Sequence, residues 1–206
     1  PVPVGPGAGE SAVVVTDLNV IGTLEHPRLI GILRNVSGTD LFHVNLTVVF
    51  YDAAGDVADT RYGTTLMTTL PSGEVSPFEF FFPPNVPASV EAEAVGVTVE
   101  WEEVYPGYAW SRDGFSVLSP QGSMGPYNFE ITGQVQNNSC KNARSVNIVA
   151  IAYNAAGQII GYGLKVIDSV SAGSKVQFDM AIAGGTSLAE PQVDHFEVLA
   201  EGLLES

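Results

Sequence analysis

The chain has 206 residues, 45% of them hydrophobic and 15% charged, with 23 acidic against 8 basic side chains and a net charge of −15. That apolar content supports a packed core rather than disorder. The acidity excludes a binder of nucleic acid or of an anionic membrane surface, because both need clustered Lys and Arg. No apolar run reaches the roughly 18 residues that cross a bilayer, so no direct membrane insertion of this segment is expected. The single cysteine, Cys140, excludes an internal disulfide framework.

Residues 1–10, PVPVGPGAGE, alternate Pro and Gly with small residues and cannot bury a face, which predicts a linker or stalk. The chain opens at Pro1 with neither Met nor a leader, as expected of a processed or trimmed product. With its few lysines and its Val, Thr, Asn and Gly, it reads as an exported bacterial or archaeal protein. The expected location is extracellular or at the cell envelope, with a removed lipoprotein-type N-terminal segment as the anchor.

Residues 31–57 then lie on 133–159 without a gap. Gly31, Asn35, Ser37, Val44, Asn45, Tyr51, Ala53, Ala54 and Gly55 recur as Gly133, Asn137, Ser139, Val146, Asn147, Tyr153, Ala155, Ala156 and Gly157. Past this the register shifts by two residues, and Tyr62, Gly63, Gly73 and Phe78 match Tyr162, Gly163, Gly173 and Phe178. Two copies are predicted, over 11–106 and 113–204, joined by a short segment around 107–112.

Within the first copy, Val44, Leu46, Val48 and Phe50 alternate with Asn45, Thr47, Val49 and Tyr51, the period of two of a strand. Asp52–Asp56 and Asn154–Gln158 then each open on an Asx residue and carry Gly one place before the end. That pattern suits a short hairpin with Gly55 and Gly157 in the left-handed region. Phe78, Phe80 and Phe82 share one face, as do Phe178, Met180 and Ile182. No segment shows a helical period with caps. The predicted fold class is all-β: two tandem immunoglobulin-like β-sandwich domains of about six strands each, related by internal duplication. The absence of a Cys…Trp…Cys spacing excludes true immunoglobulin domains.

The run G-x-x-x-N-x-S, followed by V-N-L-T-V-V-F-Y-D-A-A-G-D-V and then L-P-S-G-E and F-E-F, resembles the FxLYD domain. That domain is an extracytoplasmic bacterial and archaeal β-sandwich module. The signature falls on Val48-Val49-Phe50-Tyr51-Asp52 in the first copy and on Ala150-Ile151-Ala152-Tyr153-Asn154 in the second, where only the Tyr is unchanged. The resemblance spans most of both copies and is carried by core and turn residues. It implies fold and location, and neither activity nor functional residues.

Catalytic chemistry finds no footing in the sequence. There is no G-x-S-x-G, H-E-x-x-H, C-x-x-C or phosphate-binding glycine pattern. His26, His43 and His195 are scattered and read as surface or turn residues. Cys140 lies beside Lys141 in a polar turn with no neighbouring His, and reads as incidental. No catalytic, metal or cofactor site is predicted, and the protein is not expected to be an enzyme. The acids are uneven: residues 1–110 carry 14 acids and 3 bases, the rest 9 and 5. The alternative is therefore a cation-dependent carbohydrate-binding or hydrolytic protein using first-copy acids, namely Asp52, Asp56, Glu91, Glu93, Glu100, Glu102 and Glu103. None has the spacing of a calcium loop, so a solvated acidic face and an Asx turn at Asp52 are the plainer expectation.

The copies differ most where Thr132, Gln134 and Gln136 of the second become Ile30, Ile32 and Arg34 of the first, and Ala181 becomes Phe81. If these two strands are neighbours, Ile30, Ile32 and Phe81 form an outward apolar patch. Such a patch suits a protein partner or self-association through the first copy, or cover by another part of the chain.

Overall fold

The computed structural model describes residues 12–22, 27–52, 54–81, 92–99, 108–125, 128–182 and 193–205, and among them the backbone is strand, turn or irregular with no helix. The protein is all-β. Its contacts divide it into two compact units, Pro1–Trp101 and Glu102–Ser206.

In the first unit, β1 (Val13–Gly22), β2 (Pro27–Asn35) and β7 (Val75–Phe81) form one antiparallel sheet in the order β1-β2-β7. A second joins β5 (Val57–Thr64), β4 (Val44–Tyr51) and β8 (Ala92–Val99). The short β3 (Leu41–Phe42) pairs β6 (Thr69–Leu70). As the alternation predicts, Val44, Leu46, Val48 and Phe50 are buried. With Leu29 and Leu33 of β2 and Phe78 and Phe80 of β7 they make one core cluster between the two sheets. Phe82 lies outside the described residues.

In the second unit, β10 (Phe115–Met124), β11 (Phe129–Asn137) and β14 (Lys175–Ala181) form the sheet β10-β11-β14. The other sheet runs β13 (Ile159–Val170), β12 (Ala143–Tyr153), β15 (His195–Glu205), β9 (Tyr108–Ser111). Ile131 and Val135 of β11 pack with Val146, Ile148 and Ala150 of β12 and Phe178 and Met180 of β14. Both units are thus sandwich-like, each closing two sheets on one apolar layer.

Two expectations need correction. Residues 108–111, read as part of a joining segment, are an edge strand whose Trp110 pairs Leu203 of β15. The described strands number eight and seven rather than about six each. Part of the difference is a break. Leu41 pairs Leu70 where Ala143 pairs Val170, but in the second unit the strands run on unbroken. In the first unit residues 65–68 leave the ladder, with the Leu66 N–H donating to the Pro77 carbonyl and the Met67 N–H to Ser76 Oγ. His43 (φ 48°) and Ser145 (φ 55°) take the same left-handed backbone at matching positions. Neither is a glycine, so the conformation is held by its surroundings.

The matching residues make matching bonds. The Asn35 Nδ2 donates to the carbonyls of Thr39 (2.7 Å) and Leu70 (2.8 Å), and its Oδ1 accepts from the Ser37 N–H and hydroxyl. Asn137 Nδ2 donates to Lys141 (2.8 Å) and Val170 (3.0 Å), and its Oδ1 accepts from Ser139 in the same two ways. Both asparagines are fully buried, so each amide replaces water for two strand-end carbonyls. Asp52 Oδ1 accepts the N–H groups of Ala54 and Asp56, and Asn154 Oδ1 those of Ala156 and Gln158. Gly55 (φ 85°) and Gly157 (φ 75°) supply the left-handed residue these turns require. Gly31 lies opposite Phe78 and Gly133 opposite Phe178. A Cβ there would stand 2.4 and 2.7 Å from the respective ring, so only glycine admits the phenylalanine.

Candidate functional site

The outer faces of the matching sheets β1-β2-β7 and β10-β11-β14 hold the site residues. In the first unit, β2 and β7 are direct neighbours, as the patch reading required. Ile30 and Ile32 stand on the face opposite Gly31, away from Phe78. Phe81 is 66% exposed, but Ile30 and Ile32 are 0% and 3% exposed. Of the patch Ile30, Ile32, Phe81, two members are covered and one is exposed, as the reading of cover by another part of the chain requires. Ile30 lies between Asn19 and Glu79, and Ile32 between Asp17 and Pro77. Arg28 Nη1 bonds Glu79 Oε1 at 2.7 Å, with the two side chains only 20% and 10% exposed, so an ion pair runs diagonally across this face. Phe81 alone is a single exposed apolar side chain, which is ordinary for a protein surface.

In the second unit the same face is polar and open. Leu118, Gln134 and Gln177 form one cross-strand row, and Gln121, Thr132 and Asp179 the next. These six line a groove of about 410 Å³. Between the rows, β10 carries a bulge where its register jumps from Leu118 to Gln121. Ser119 there adopts φ 48°, and Pro120 lies 3.4 Å from where a Gly133 side chain would begin. Bulges of this kind re-aim side chains at the edge of a sheet. Asp179 meets Lys165 Nζ at 3.8 Å, leaving the groove with one paired charge and otherwise neutral groups. Among the described residues, the side-chain amides of Gln121, Gln134 and Gln177 bond no other protein group.

Sequence reasoning named Gln134 only as the counterpart of Ile32 and did not single out Gln121 or Gln177. A signal was present: the chain has six glutamines, none before residue 121, and Gln121, Gln134, Gln136 and Gln177 fall on this one face.

The remaining candidates are dispersed. His43 sits in the left-handed kink before β4, and the exposed His195 ring stacks on Tyr153 (4.8 Å) with Nδ1 3.1 Å from Asp194. His26 lies outside the described residues. Cys140 is exposed. Asp52 is taken up in its turn, Asp59 bonds Arg61 at 2.7 Å and Glu79 bonds Arg28. Glu93 belongs to β8, while Glu91, Glu100, Glu102 and Glu103 lie outside the described residues. Among the described residues no three of His, Cys, Asp and Glu cluster as metal ligands would.

No family model matches the chain, and no curated protein does. Among solved structures it is similar to a β-glucuronidase of Bacteroides uniformis at 15% identity and a TM-score of 0.27, over 88% of this chain and 25% of the other. It is also similar to the C-terminal globular domain of an oligosaccharyltransferase from Pyrococcus abyssi, at 6% identity and a TM-score of 0.25, over 94% and 47%. Dimeric latent PorU from Porphyromonas gingivalis gives 10% and 0.25, over 98% and 22%. The chain thus spans less than half the length of each. Superpositions this loose transfer no activity.

Proposed function

We propose that the chain is a non-catalytic protein of the cell exterior or envelope, made of two tandem immunoglobulin-like sandwiches of FxLYD type that arose by duplication. Its role is interaction, adhesion or spacing. The observation that carries this reading is where the repeated polar residues go. Asn35 and Asn137, Ser37 and Ser139, Asp52 and Asn154 all bond turn or strand-end backbone. These three shared pairs therefore serve the scaffold. The FxLYD reading is supported by Val48 and Phe50, whose side chains enter the first core while Asp52 opens the turn. Ala150, Ala152 and Asn154 hold those places in the second unit. Location rests on composition: an acidic, lysine-poor chain preceded by a Pro- and Gly-rich stretch.

A partner surface on the first copy is not carried by Ile30 and Ile32, which are covered. Of the acids named for the cation-dependent alternative, Asp52 is engaged by the backbone of its own turn. A calcium titration followed by thermal melting tests this. The melting temperature is expected to stay flat to about 10 mM calcium. A saturating rise overturns the reading in favour of a cation site, because a ligand of the native state raises stability by mass action.

A further inference from the structure

The groove of the second unit presents uncharged groups that each donate and accept. An amide offers an N–H pair and a carbonyl on one planar end, and a Thr or Ser hydroxyl does both from one atom. Gln121, Gln134, Gln177 and Thr132 stand on adjacent strands about 4.8 Å apart, with same-face neighbours along a strand about 6.8 Å apart. The result is a two-dimensional array of donor–acceptor pairs. Leu118 adds an apolar side chain at one corner, and Asp179 is paired with Lys165 at another. At about 410 Å³ the groove falls within the range of small-molecule sites.

Three classes of ligand can be weighed against this chemistry. An anion meets Asp179 and a chain of net charge −15, with one lysine at hand, so charge disfavours it. A peptide bound by strand addition would join the sheet at the outer edge of β10 or β14, away from the groove, since the backbone of β11 is occupied on both sides. A ligand dense in hydroxyls and neutral in charge matches the array, its hydroxyls meeting amides and its C–H faces meeting Leu118.

We propose that the groove on the outer face of β10-β11-β14 binds a neutral oligosaccharide through Gln121, Gln134, Gln177 and Thr132, without a cation. This rests on the non-catalytic binding reading and names its ligand class.

The test uses the whole chain, 15N-labelled, titrated with cellotriose, maltotriose and tri-N-acetylchitotriose. Spectra follow the side-chain amide signals of the glutamines, and chromatography follows the integrity of each sugar. At least one trisaccharide should shift the Gln134 and Gln177 signals with Kd of about 1 mM, unchanged by EDTA. Gln134→Ile, which installs the first unit's residue, should weaken binding at least about tenfold. Gln177→Ala should do the same, and Gln136→Ile, one position outside the groove, should not. Melting curves of all three variants verify that the fold is kept. The proposal fails if no trisaccharide shifts these signals at about 10 mM, if Gln134→Ile binds as well as the parent chain, or if a neutral Gly-Ser hexapeptide shifts them more strongly. A sugar that binds and is cleaved would leave the groove standing and overturn the non-catalytic reading instead.

Discussion

Two outer sheet faces that correspond position by position have opposite character. In β1-β2-β7 the places of Thr132, Gln134, Gln177 and Asp179 are taken by Ile30, Ile32, Pro77 and Glu79. There the isoleucines are fully covered, and the carboxylate is held by Arg28 at 2.7 Å. In β10-β11-β14 the face is an open groove, and the matching carboxylate meets Lys165 at 3.8 Å with its side chain 85% exposed. Below both faces lie the same glycine–phenylalanine contact and the same buried asparagine. The core side of a sheet is constrained by packing, so it repeats. The outer side is under no such constraint, and here one unit has it covered while the other has it open.

The comparison breaks most sharply at its centre. Ile32→Asp should unfold the first unit, because a carboxylate forced into a covered apolar site costs about 4 kcal/mol or more. Gln134→Asp, its counterpart, should shift stability by less than about 0.5 kcal/mol. Hydrogen exchange resolved by peptide reports each unit separately in the intact chain. Equal, small effects at the two positions would show that the first face is open after all.

Below the faces the units should behave alike. Asn35→Ala and Asn137→Ala each remove the partner of two strand-end carbonyls, at an expected loss of about 2–3 kcal/mol in the unit concerned. Denaturant unfolding with the same exchange readout checks this, and a silent substitution in one unit would undo the equivalence of the two loops. The smallest contrast is electrostatic. Arg28→Ala breaks a largely covered pair and should cost about 2 kcal/mol, whereas Lys165→Ala, from an exposed pair, should cost under about 0.5 kcal/mol. Melting in low and high salt sharpens the difference, since the exposed pair alone should be screened away.

Much of this was legible in the residues. The alternation along 44–51 places its buried set correctly, and Asp52 with Gly55 forms the turn its spacing implies. Gly31 with Phe78 and Gly133 with Phe178 were visible as repeated letters, though their contact was not. The break that creates β3 and β6 was hidden. It depends on Leu66 and Met67 bonding β7, an interaction between segments about ten residues apart that no local period records. Strand β9 was missed because its pairing partner, β15, lies at the far end of the chain.

By itself the sequence determined the strand period, the Asx–Gly turns, the repeated core positions and the direction in which Ile30, Ile32, Gln134 and Gln177 point, since side-chain alternation is a local property of an extended backbone. Only the tertiary structure decided which of those outward positions meet solvent. Exposure is fixed by neighbours on strands distant in sequence. Arg28 and Glu79 cross the face on which Ile30 and Ile32 are covered, and β10 bulges at Ser119 and Pro120 beside the other.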